Sequence, residues 1–416
     1  MSTRRSRSVL MVLYFFPPLG GISMSRNVRN VQYLPRHGWR PAVLTPSNAA
    51  YHLKDPSSLD LIPEGTKVIR VPSIEAGHVR SFLIDLLAVL ARIRRSAPAP
   101  AAAPSRTEST GSAGSGRGMG RLESARRLLF FPDDQIGWLP FAVVAGLRAH
   151  RADPFDAIYS TSSPITSHLV AGIIKRWTGL PWIAEFRDPW LGNALAAPLP
   201  WIHRRLRVKL ERWIVRTADR VVGVSPGITE LYRQRYPGAP EMVTITSGYD
   251  RGERRPPVRR DPADDRYRIV YTGTLDRPEE LRIFLEGVEG LLTRRPELAA
   301  RLTIDFFGAV SDACRATADR FALGNAGGAV HYRGFVPRRE AMDALASADA
   351  ALILLGAGPG MGLFIGGKLF DYLGQDRQIL AMLPQGDSRD ILLSLDWGVV
   401  CDPDPADVER AIERLI

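Results

Sequence analysis

The sequence predicts an α/β protein that contains two consecutive open parallel sheets. Short apolar runs alternate with amphipathic stretches along most of the 416 residues, and this alternation is typical of parallel strands covered by helices on both faces. The chain is too long for one compact core and has the length of two or three domains. A polar, Pro-rich segment at residues 248–267 separates two series of strands and indicates a domain boundary.

Each series contains its own set of predicted strands. In the first half they are "SVLMVLYF", "RPAVLTPS", "KVIRVPS", "DAIYSTS", "PWIAEFR", "RVVGVS" and "MVTITS". In the second half they are "IVYTGT", "LTIDFFG", "VHYRGF", "AALILLG", "QILAML" and "WGVVCD". The stretch "SMSRNVRNVQYLPRHG" is predicted to be a helix that stops at a basic turn and Gly38. We therefore expect an N-terminal domain over 1–247, a linker over 248–267 and a C-terminal domain over 268–416.

One segment fits neither series of strands. Residues 96–120 consist mainly of Ala, Pro, Ser and Gly, and they contain too few large apolar side chains to fold alone, which predicts a disordered insertion. The flanking stretches "LLAVLARIRR" and "RRLLFF" are apolar and basic. They either rest on an anionic membrane or lipid-linked acceptor, or pack as helices on the first domain.

The composition limits the possible partners and the compartment. A net charge of +11 attracts nucleic acid, anionic lipid or phosphorylated small molecules. The arginines are spread along the chain, which weakens the case for a dedicated nucleic-acid surface. The chain has only two cysteines, Cys314 and Cys401, too few for a zinc site, and they indicate a reducing compartment.

The N-terminus imitates a secretion signal because "MSTRRSRS" precedes the apolar run "VLMVLYFF". Pro17 and Pro18 follow where a small-residue cleavage site is expected, so we interpret the run as a buried first strand. No later apolar run approaches the ~18 residues that span a bilayer. The expected location is cytoplasmic, with peripheral attachment to the inner face of the cell membrane as an option.

The stretch "YFFPPLGGISMSRN" runs from a strand into a glycine pair and a helix. Gly20 and Gly21 would let the backbone approach a ligand closely, and the helix start would offer N–H groups to a phosphate. The alternative is that the turn needs glycine for its geometry alone. The dinucleotide fingerprint GxGxxG is absent here, which argues against a nicotinamide enzyme.

The stretch "WIAEFRDPW" places charged residues at the end of an apolar strand, namely Glu185, Arg187 and Asp188. Charges at such a position are costly unless they are paired or used in function. The structural alternative is a salt bridge between Arg187 and Asp188 and their neighbours.

The stretch "FIGGKLFDYL" predicts a helix whose first turn binds an anion. The N–H groups of Gly366, Gly367, Lys368 and Leu369 would converge on a diphosphate, assisted by the Lys368 charge and the helix dipole. Asp371 lies about one turn further and would reach a ribose. An ordinary capped, solvent-exposed helix is the alternative.

Taken together and in this order, the motifs resemble those of the group 1 glycosyltransferases, or glycosyltransferase family four. Members have the GT-B fold, in which two Rossmann-like domains face an interdomain cleft. The resemblance covers most of the chain and is carried by "YFFPPLGG", "FPDDQIGW", "YSTSSP", "WIAEFRDPW", "VVGVSPGITELYRQRYP", "TSGYD", "IVYTGTL", "VHYRGFVPRREAMDALASADAALILL" and "GGKLFDYL".

The resemblance implies roles for residues of the second domain. Asp371 matches the second acid of the family's two-acid motif, which holds the ribose hydroxyls, and Lys368 with its two preceding glycines matches the helix start that carries the donor diphosphate. Gly273 matches the phosphate-clamping loop, for which Arg277 is the first candidate cation and Arg282 the second.

Other matches concern the base, the sugar and the first domain. Phe335 and Val336 match the loop that flanks the base. The Gly20–Gly21 pair matches the loop that closes on the donor phosphate or sugar, and Asp188 matches the strand end beside the reacting sugar.

The resemblance implies a retaining transfer of a sugar from a nucleotide diphosphate sugar to an acceptor hydroxyl, in cell-surface polysaccharide or glycolipid synthesis. We expect no metal and no cofactor, because cationic groups would neutralise the diphosphate. The expected partners are the donor, a sugar or lipid-linked acceptor and an anionic membrane surface, and not nucleic acid. The stretch "PWIHRRLRVKLERWIVR" is either a surface-seeking helix or one that packs on its own domain.

The chain departs from the family pattern at two positions and at its end. Leu363 stands where the first acid of the two-acid motif, which contacts the donor sugar, is expected, and Asp371 stands where Glu is common. The final helices of the family are expected after residue 416, which would make the sequence truncated. These departures leave an alternative function open: a nucleotide-sugar-binding protein of the same fold with impaired catalysis.

Overall fold

The computed structural model describes residues 6–19, 22–50, 54–75, 77, 130–192, 201–256, 264–322, 324 and 328–416. The chain forms two compact units. The N-terminal unit comprises residues 1–224 and 228–245, and the C-terminal unit comprises residues 225–227 and 246–416. The predicted insertion at 96–120 and the glycines Gly20 and Gly21 lie outside the described residues.

The N-terminal unit contains a parallel sheet of seven strands in the order β3-β2-β1-β4-β5-β6-β7. The inner strands are short and mostly buried, as expected of a sheet that is covered on both faces, whereas the edge strands β3 and β7 are more exposed. The strands are β1 Arg7–Val12, β2 Trp39–Pro46, β3 Lys67–Val71, β4 Ala157–Ser162, β5 Trp182–Phe186, β6 Arg220–Gly223 and β7 Met242–Thr244.

Helices connect these strands, as parallel pairing requires. They are α1 Ile22–Tyr33, α2 Leu139–Ala152, α3 Thr166–Thr178, α4 Trp201–Thr217 and α5 Pro226–Arg235. The predicted first helix is confirmed, with a difference at its end. Pro35 has no N–H for an α-helical bond, so the α-helix ends at Tyr33 and a 3₁₀ turn follows over Leu34–His37. Gly38 then stops the chain in the left-handed conformation, with φ of 76°.

The C-terminal unit contains a parallel sheet of six strands in the order β10-β9-β8-β11-β12-β13. The order reverses between β8 and β11, and ligands of open α/β sheets bind outside the carboxyl ends of the strands at such a reversal. The strands are β8 Tyr267–Thr272, β9 Leu302–Phe307, β10 Val330–Gly334, β11 Ala350–Leu354, β12 Gln378–Met382 and β13 Gly398–Cys401.

Apolar cores lie on both faces of this second sheet. On one face Phe284 and Leu291 pack against Phe306 and Ile412, and on the other face Leu369 and Tyr372 belong to a separate buried cluster. The helices that supply these side chains are α6 Pro278–Arg294, α7 Asp312–Phe321, α8 Arg338–Ala346, α9 Gly367–Gly374, α10 Asp387–Leu395 and α11 Pro405–Leu415.

All thirteen predicted strands are confirmed, each within a few residues of its expected bounds. The predicted linker at 248–267 includes a 3₁₀ turn at Arg251–Glu253, and residues 257–263 of it are not described. No described helix combines the length and the apolar character needed to cross a membrane.

Candidate functional site

A buried ion pair holds the strand end "WIAEFRDPW" in the N-terminal unit. The side chain of Glu185 at the end of β5 is 2% exposed and that of Arg26 on α1 is 12% exposed. The Arg26 guanidinium donates to Glu185 Oε1 at 2.6 and 3.1 Å. The hydroxyls of Tyr159 and Thr161 on β4 donate to Glu185 Oε2 at 2.7 and 2.9 Å. The carboxylate therefore joins β4, β5 and the helix that follows the glycine pair.

The charge of Glu185 is stabilised although the group is buried. Burial alone would raise its pKa, but the Arg26 charge and the hydrogen bonds from Arg26 and Tyr159 hold the pKa below the usual range. Sequence reasoning placed Glu185 at a strand end but did not find Arg26. The available signal for Arg26 was its position as a basic residue in the second turn of α1, a helix that starts beside that edge of the sheet.

Arg187 and Asp188 do not form the simple pair that the sequence offered as an alternative. Arg187 donates to the carbonyl oxygens of Ser162 at 2.9 Å and Ser163 at 3.2 Å. The half-buried carboxylate of Asp188 accepts no hydrogen bond from the residues that the structure describes. Burial raises the pKa of Asp188, and the nearby Arg187 charge opposes that effect only in part. Asp188 is therefore available to a hydroxylated ligand.

His168 on α3 is a packing residue. The ring is fully buried and lies 4.7 Å from the ring of Phe186. Its Nδ1 is 2.7 Å from Ser160 Oγ, and burial lowers the pKa of His168 to about 3. The imidazole is neutral at ordinary pH and is enclosed by apolar rings.

In the C-terminal unit, two glycines open the carboxyl edge of the sheet. Gly273 follows β8 with φ of 124° and Gly308 follows β9 with φ of 143°, a region that side chains rarely enter. A Cβ on Gly308 would lie 2.1 Å from the carbonyl oxygen of Gly273, and a Cβ on Gly273 would lie 2.5 Å from Lys368 Cε. Gly308 lets the two strand ends approach each other, and Gly273 leaves room for Lys368 to cross the end of β8.

The side chain of Lys368 is partly buried. Its Nζ lies 2.5 Å from the Tyr271 hydroxyl and 4.0 Å from the centre of the Tyr271 ring. Burial lowers the pKa of Lys368 to about 8, with Asp276 acting to raise it and Arg277 to lower it. The charges of Asp276 and Arg277 thus both act on this ammonium.

Helix α9 starts beside that ammonium. Gly366 is its N-cap with extended backbone, and no side chain in the described part of the chain caps the helix. The N–H of Leu369 donates to the Gly366 oxygen at 3.1 Å, and its side chain is 2% exposed. Leu369 is thus a packing residue whose N–H is used within the turn, and the N–H groups of residues 366–368 remain for an anion.

The structure distinguishes the two candidate cations of the phosphate-clamping loop. Arg277 occupies the N-cap position of α6, and its guanidinium lies 6.0 Å from the centre of the Phe364 ring and 3.4 Å from Glu280. Arg282 lies one turn further and pairs with Glu279 at 2.6 Å and Glu286 at 2.5 Å on the surface of α6. Arg277 is therefore the residue beside Lys368.

The predicted ribose acid has a partner that sequence reasoning missed. The guanidinium of Arg338, at the start of α8, lies 3.2 and 3.3 Å from the carboxylate oxygens of Asp371. Arg338 also donates to Glu253 of the linker at 2.8 Å. A basic residue directly after the predicted base-flanking loop was the available signal. Asp371 is held in place with an oriented carboxylate rather than turned into bulk water.

The linker is also bound to the far end of α9. The Gln375 side chain accepts from the N–H of Arg255 at 2.9 Å and donates to the Glu253 oxygen at 3.0 Å. Arg254 pairs with Asp376. The segment around the 3₁₀ turn Arg251–Glu253 is therefore fixed to the helix that carries Asp371.

The predicted base-flanking loop borders a cavity. Phe335 is 79% exposed, Val336 follows it half-buried, and the adjoining cavity has a volume of about 380 Å³. The cavity is lined by Gly308, Ala309, Val310, Arg315, Ala318, Asp319, Tyr332, Gly334 and Phe335.

Two further observations concern acids and metals. Leu363 closes a 3₁₀ turn over Met361–Leu363, and no acidic residue occurs between 361 and 370. Among the described residues there is no cluster of three or more His, Cys, Asp or Glu side chains that could hold a metal ion.

Comparison with protein families identifies the chain. A model described as "Glycosyl transferase 4-like domain" matches residues 110–248, and a model described as "Family 4 Glycosyltransferase in conflict systems" matches residues 203–364. Residues 110–364 therefore carry domains of glycosyltransferase family four. The resemblance seen in the motifs is thereby confirmed, and the chain is a glycosyltransferase by family. A search of curated proteins found no match.

Solved structures confirm the GT-B fold of this glycosyltransferase. Sucrose-phosphate synthase from Thermosynechococcus elongatus is 16% identical with a TM-score of 0.59, covering 99% of this chain and 90% of its own. Anabaena HepE in complex with UDP and glucose is 13% identical with a TM-score of 0.57, covering 98% and 89%. The lipopolysaccharide outer core galactosyltransferase WaaB is 12% identical with a TM-score of 0.56, covering 98% and 90%.

The buried pair of the N-terminal unit gives a stability prediction. Arg26→Met leaves the Glu185 carboxylate buried without its cation, and the loss of one partner of a buried pair costs about 3–5 kcal/mol. We expect the free energy of unfolding at pH 7, measured by urea titration, to fall by about that amount.

The matched control is Arg40→Met, which removes the 60% exposed partner of Asp153 and should cost less than about 1 kcal/mol. The Arg26→Met deficit should shrink on acidification, because protonation of Glu185 removes the uncompensated charge. Equal losses in the two variants would contradict a structural role for the pair.

Proposed function

We propose that this glycosyltransferase moves a sugar from a nucleotide diphosphate sugar to an acceptor hydroxyl with retention of the anomeric configuration. The observation that carries the proposal is Lys368 held across Gly273 at the start of α9, with Arg277 beside it. The family supports sugar transfer from a nucleotide sugar. The bound UDP and glucose of HepE support a donor of that kind.

The chemistry of the site suits a diphosphate. An ammonium whose pKa is lowered by burial gains a counterion when a phosphate arrives, and the N–H groups at the start of α9 point toward the same place. A guanidinium at Arg277 can pair with a second phosphate oxygen. In this proposal Gly366, Gly367 and Gly273 let the backbone approach the diphosphate, and Gly20 and Gly21 are further donor-binding residues, as the motif resemblance implies.

The proposed transfer breaks the bond between the sugar C1 and the diphosphate oxygen and forms a bond between C1 and the acceptor oxygen on the same face. The proton of the acceptor hydroxyl passes to the departing diphosphate. Lys368 and Arg277 stabilise the negative charge that develops on the leaving group, which is the main contribution expected from the enzyme. No metal or cofactor is required in this proposal.

Other residues have positioning roles in the proposal. Asp371, oriented by Arg338, accepts hydrogen bonds from the ribose hydroxyls. Phe335 and Val336 flank the base. Asp188 accepts a hydrogen bond from a hydroxyl of the reacting sugar or of the acceptor, as its unused, half-buried carboxylate allows.

Leu363 favours one alternative, a nucleotide-sugar-binding protein with impaired turnover. An apolar side chain at the expected first acid cannot accept a hydrogen bond from the donor sugar. The two functions differ in a simple measurement, because the alternative predicts donor binding by calorimetry with no product from any acceptor.

We further propose an acceptor of cell-surface polysaccharide or glycolipid synthesis and attachment at the inner face of the cell membrane. Helix α4 docks through Glu211, which accepts from Arg235 at 2.8 Å and Tyr236 at 2.7 Å. Its opposite face exposes large apolar side chains, namely Trp201, Ile202, Leu206 and Trp213. Basic residues accompany them, namely Arg204, Arg205, Lys209, Arg212 and Arg216. Such a mixture binds anionic lipid surfaces.

The central test is Lys368→Ala. Loss of one transition-state donor typically lowers the rate ~10²-fold, so we expect kcat to fall by about that factor with every donor that the wild type uses. Product formation is followed by chromatography, and proton NMR reports the anomeric configuration.

Arg282→Ala is the matched control, since it removes a cation of the same α6 region whose partners among the described residues are Glu279 and Glu286. Its kcat should stay within about twofold of the wild type. Unchanged turnover in the Lys368 variant would show that the diphosphate is held elsewhere.

The lowered pKa of Lys368 predicts a pH dependence of binding. The ammonium is charged below its pKa of about 8 and loses its charge above it, so affinity for a nucleoside diphosphate should fall by up to tenfold per pH unit above about 8. In Lys368→Arg the cation persists, and calorimetric affinity should be flat from about pH 7 to 9.5. A wild-type affinity that does not change over this range would contradict the assignment.

Membrane attachment is tested by sedimentation with vesicles of phosphatidylcholine and phosphatidylglycerol. Each basic residue near an anionic surface contributes about 1 kcal/mol, so Arg204→Gln with Arg205→Gln should weaken binding about 30-fold. The control pair Arg320→Gln and Arg339→Gln changes the net charge equally on the C-terminal unit. If vesicle binding changed neither with added salt nor with the α4 substitutions, attachment through this helix would be refuted.

A further inference from the structure

The cavity beside Phe335 has the size and the walls of a site for a flat ring. Its volume of about 380 Å³ lies near the lower end of the range for small-molecule sites. Tyr332 stacks on Phe306 with ring centres 5.3 Å apart and planes 15° apart, which fixes one aromatic wall. Phe335 stands at the rim and exposes 79% of its surface, so a ligand that covered it would remove a large apolar area from water.

The polar side chains of this cavity come from one face of α7. Arg315 and Asp319 are four residues apart and therefore adjacent on the helix surface, and both line the cavity. Neither side chain forms a hydrogen bond or an ion pair within the part of the chain that the structure describes. Tyr332 lines the same cavity, and burial raises its pKa to about 12, with added contributions from Cys314 and Asp319.

A third charged residue of the region already has a partner. Arg333 on β10 donates to Asp305 at 2.7 Å, and Arg333 does not line the cavity. The charged groups available to a ligand in the cavity are thus one guanidinium and one carboxylate.

The cavity adjoins the proposed diphosphate site through its glycines. Gly308 lines the cavity, its N–H donates to the Gly334 oxygen at 2.7 Å, and it touches Gly273, over which Lys368 lies. A nucleotide whose phosphates sit at Lys368 can therefore extend its base toward Tyr332 and Phe335.

We propose that the cavity selects guanine, so that the donor is a guanosine diphosphate sugar. Asp319 accepts hydrogen bonds from the guanine N1–H and N2–H groups, Arg315 donates to its O6 or N7, and Tyr332 and Phe335 contact the ring. This inference rests on the proposed function and gives the base of its donor. Phe335 has the role expected from the sequence, whereas Arg315 and Asp319 add a specificity that the motifs did not indicate.

The hydrogen-bonding pattern of the bases favours guanine over the others. Guanine offers two adjacent donors on one edge and two adjacent acceptors, O6 and N7, on the other. Uracil offers a single N–H between two carbonyl oxygens, so one of its oxygens would face the Asp319 carboxylate. Adenine and cytosine each offer one amino group and no second neighbouring N–H, and they satisfy the carboxylate only in part.

The test is calorimetric binding of GDP, UDP, ADP and CDP to the full chain at fixed salt. We expect GDP to bind at least about tenfold more tightly than the other three. A good bidentate contact discriminates between bases by roughly 10–100-fold, so Asp319→Asn should weaken GDP binding by a factor in that range. The same variant should leave UDP affinity within about threefold, and Arg315→Gln should act in the same direction.

Asp312→Asn is the matched control, because it neutralises an exposed acid of the same helix that does not line the cavity. It should leave all four affinities unchanged, and thermal unfolding of each variant reports whether the fold is kept. Equal or tighter binding of UDP to the wild type would overturn the inference, as would an equal loss of all four ligands in Asp319→Asn. In both cases diphosphate binding itself would stand. If none of the four nucleotides bound, the proposed function would be contradicted, and this inference with it.

Discussion

The C-terminal unit depends on how closely two strand ends and one lysine approach each other. Gly273 and Gly308 follow neighbouring strands, and no Cβ fits between their backbones. Because Gly273 has no side chain, Lys368 can lie across the end of β8. Burial there lowers the pKa of Lys368 to about 8, which makes the charged form roughly 3 kcal/mol less favourable than in water. In the proposed function, an arriving diphosphate would offset that cost, whereas a neutral ligand would not.

The same edge of the sheet connects the ligand site with the linker. Asp371 is held by Arg338, Arg338 is held by Glu253, and Gln375 fixes the backbone of Glu253 and Arg255. A ribose that bonds to Asp371 must share that carboxylate with Arg338, because the oxygens already accept from the guanidinium. In the proposed function, a ribose at Asp371 would therefore compete for Arg338, which also holds Glu253 of the linker.

The sequence was sufficient for the architecture and for part of the site. Alternating apolar runs predicted every strand, because a strand buried on both faces needs a continuous apolar segment. Lys368 and Arg277 were predicted from nearby glycines, because Lys368 directly follows Gly367 at a helix start and Arg277 lies four residues after Gly273 at the end of β8. Arg338 and Arg26 were missed because their partners, Asp371 and Glu185, lie 33 and 159 residues away in the chain. Arg282 and Leu369 illustrate a second limit of the sequence. Spacing alone could not distinguish the surface ion pairs of Arg282, or the packing role of Leu369, from a ligand contact.

The two units use buried charge for different purposes. In the N-terminal unit Glu185 is fully satisfied by Arg26, Tyr159 and Thr161, and a satisfied buried pair orients elements of structure rather than binding ligands. In the C-terminal unit Lys368 has a phenol and an aromatic face as its neighbours, which leaves its charge without a bonded carboxylate among the described residues. Asp188, Arg315 and Asp319 likewise have no salt-bridge partner among the described residues. A group that the fold leaves unsatisfied gains the most from a ligand, so these four side chains, rather than the better-bonded Glu185, carry the chemical specificity that we assign to this glycosyltransferase.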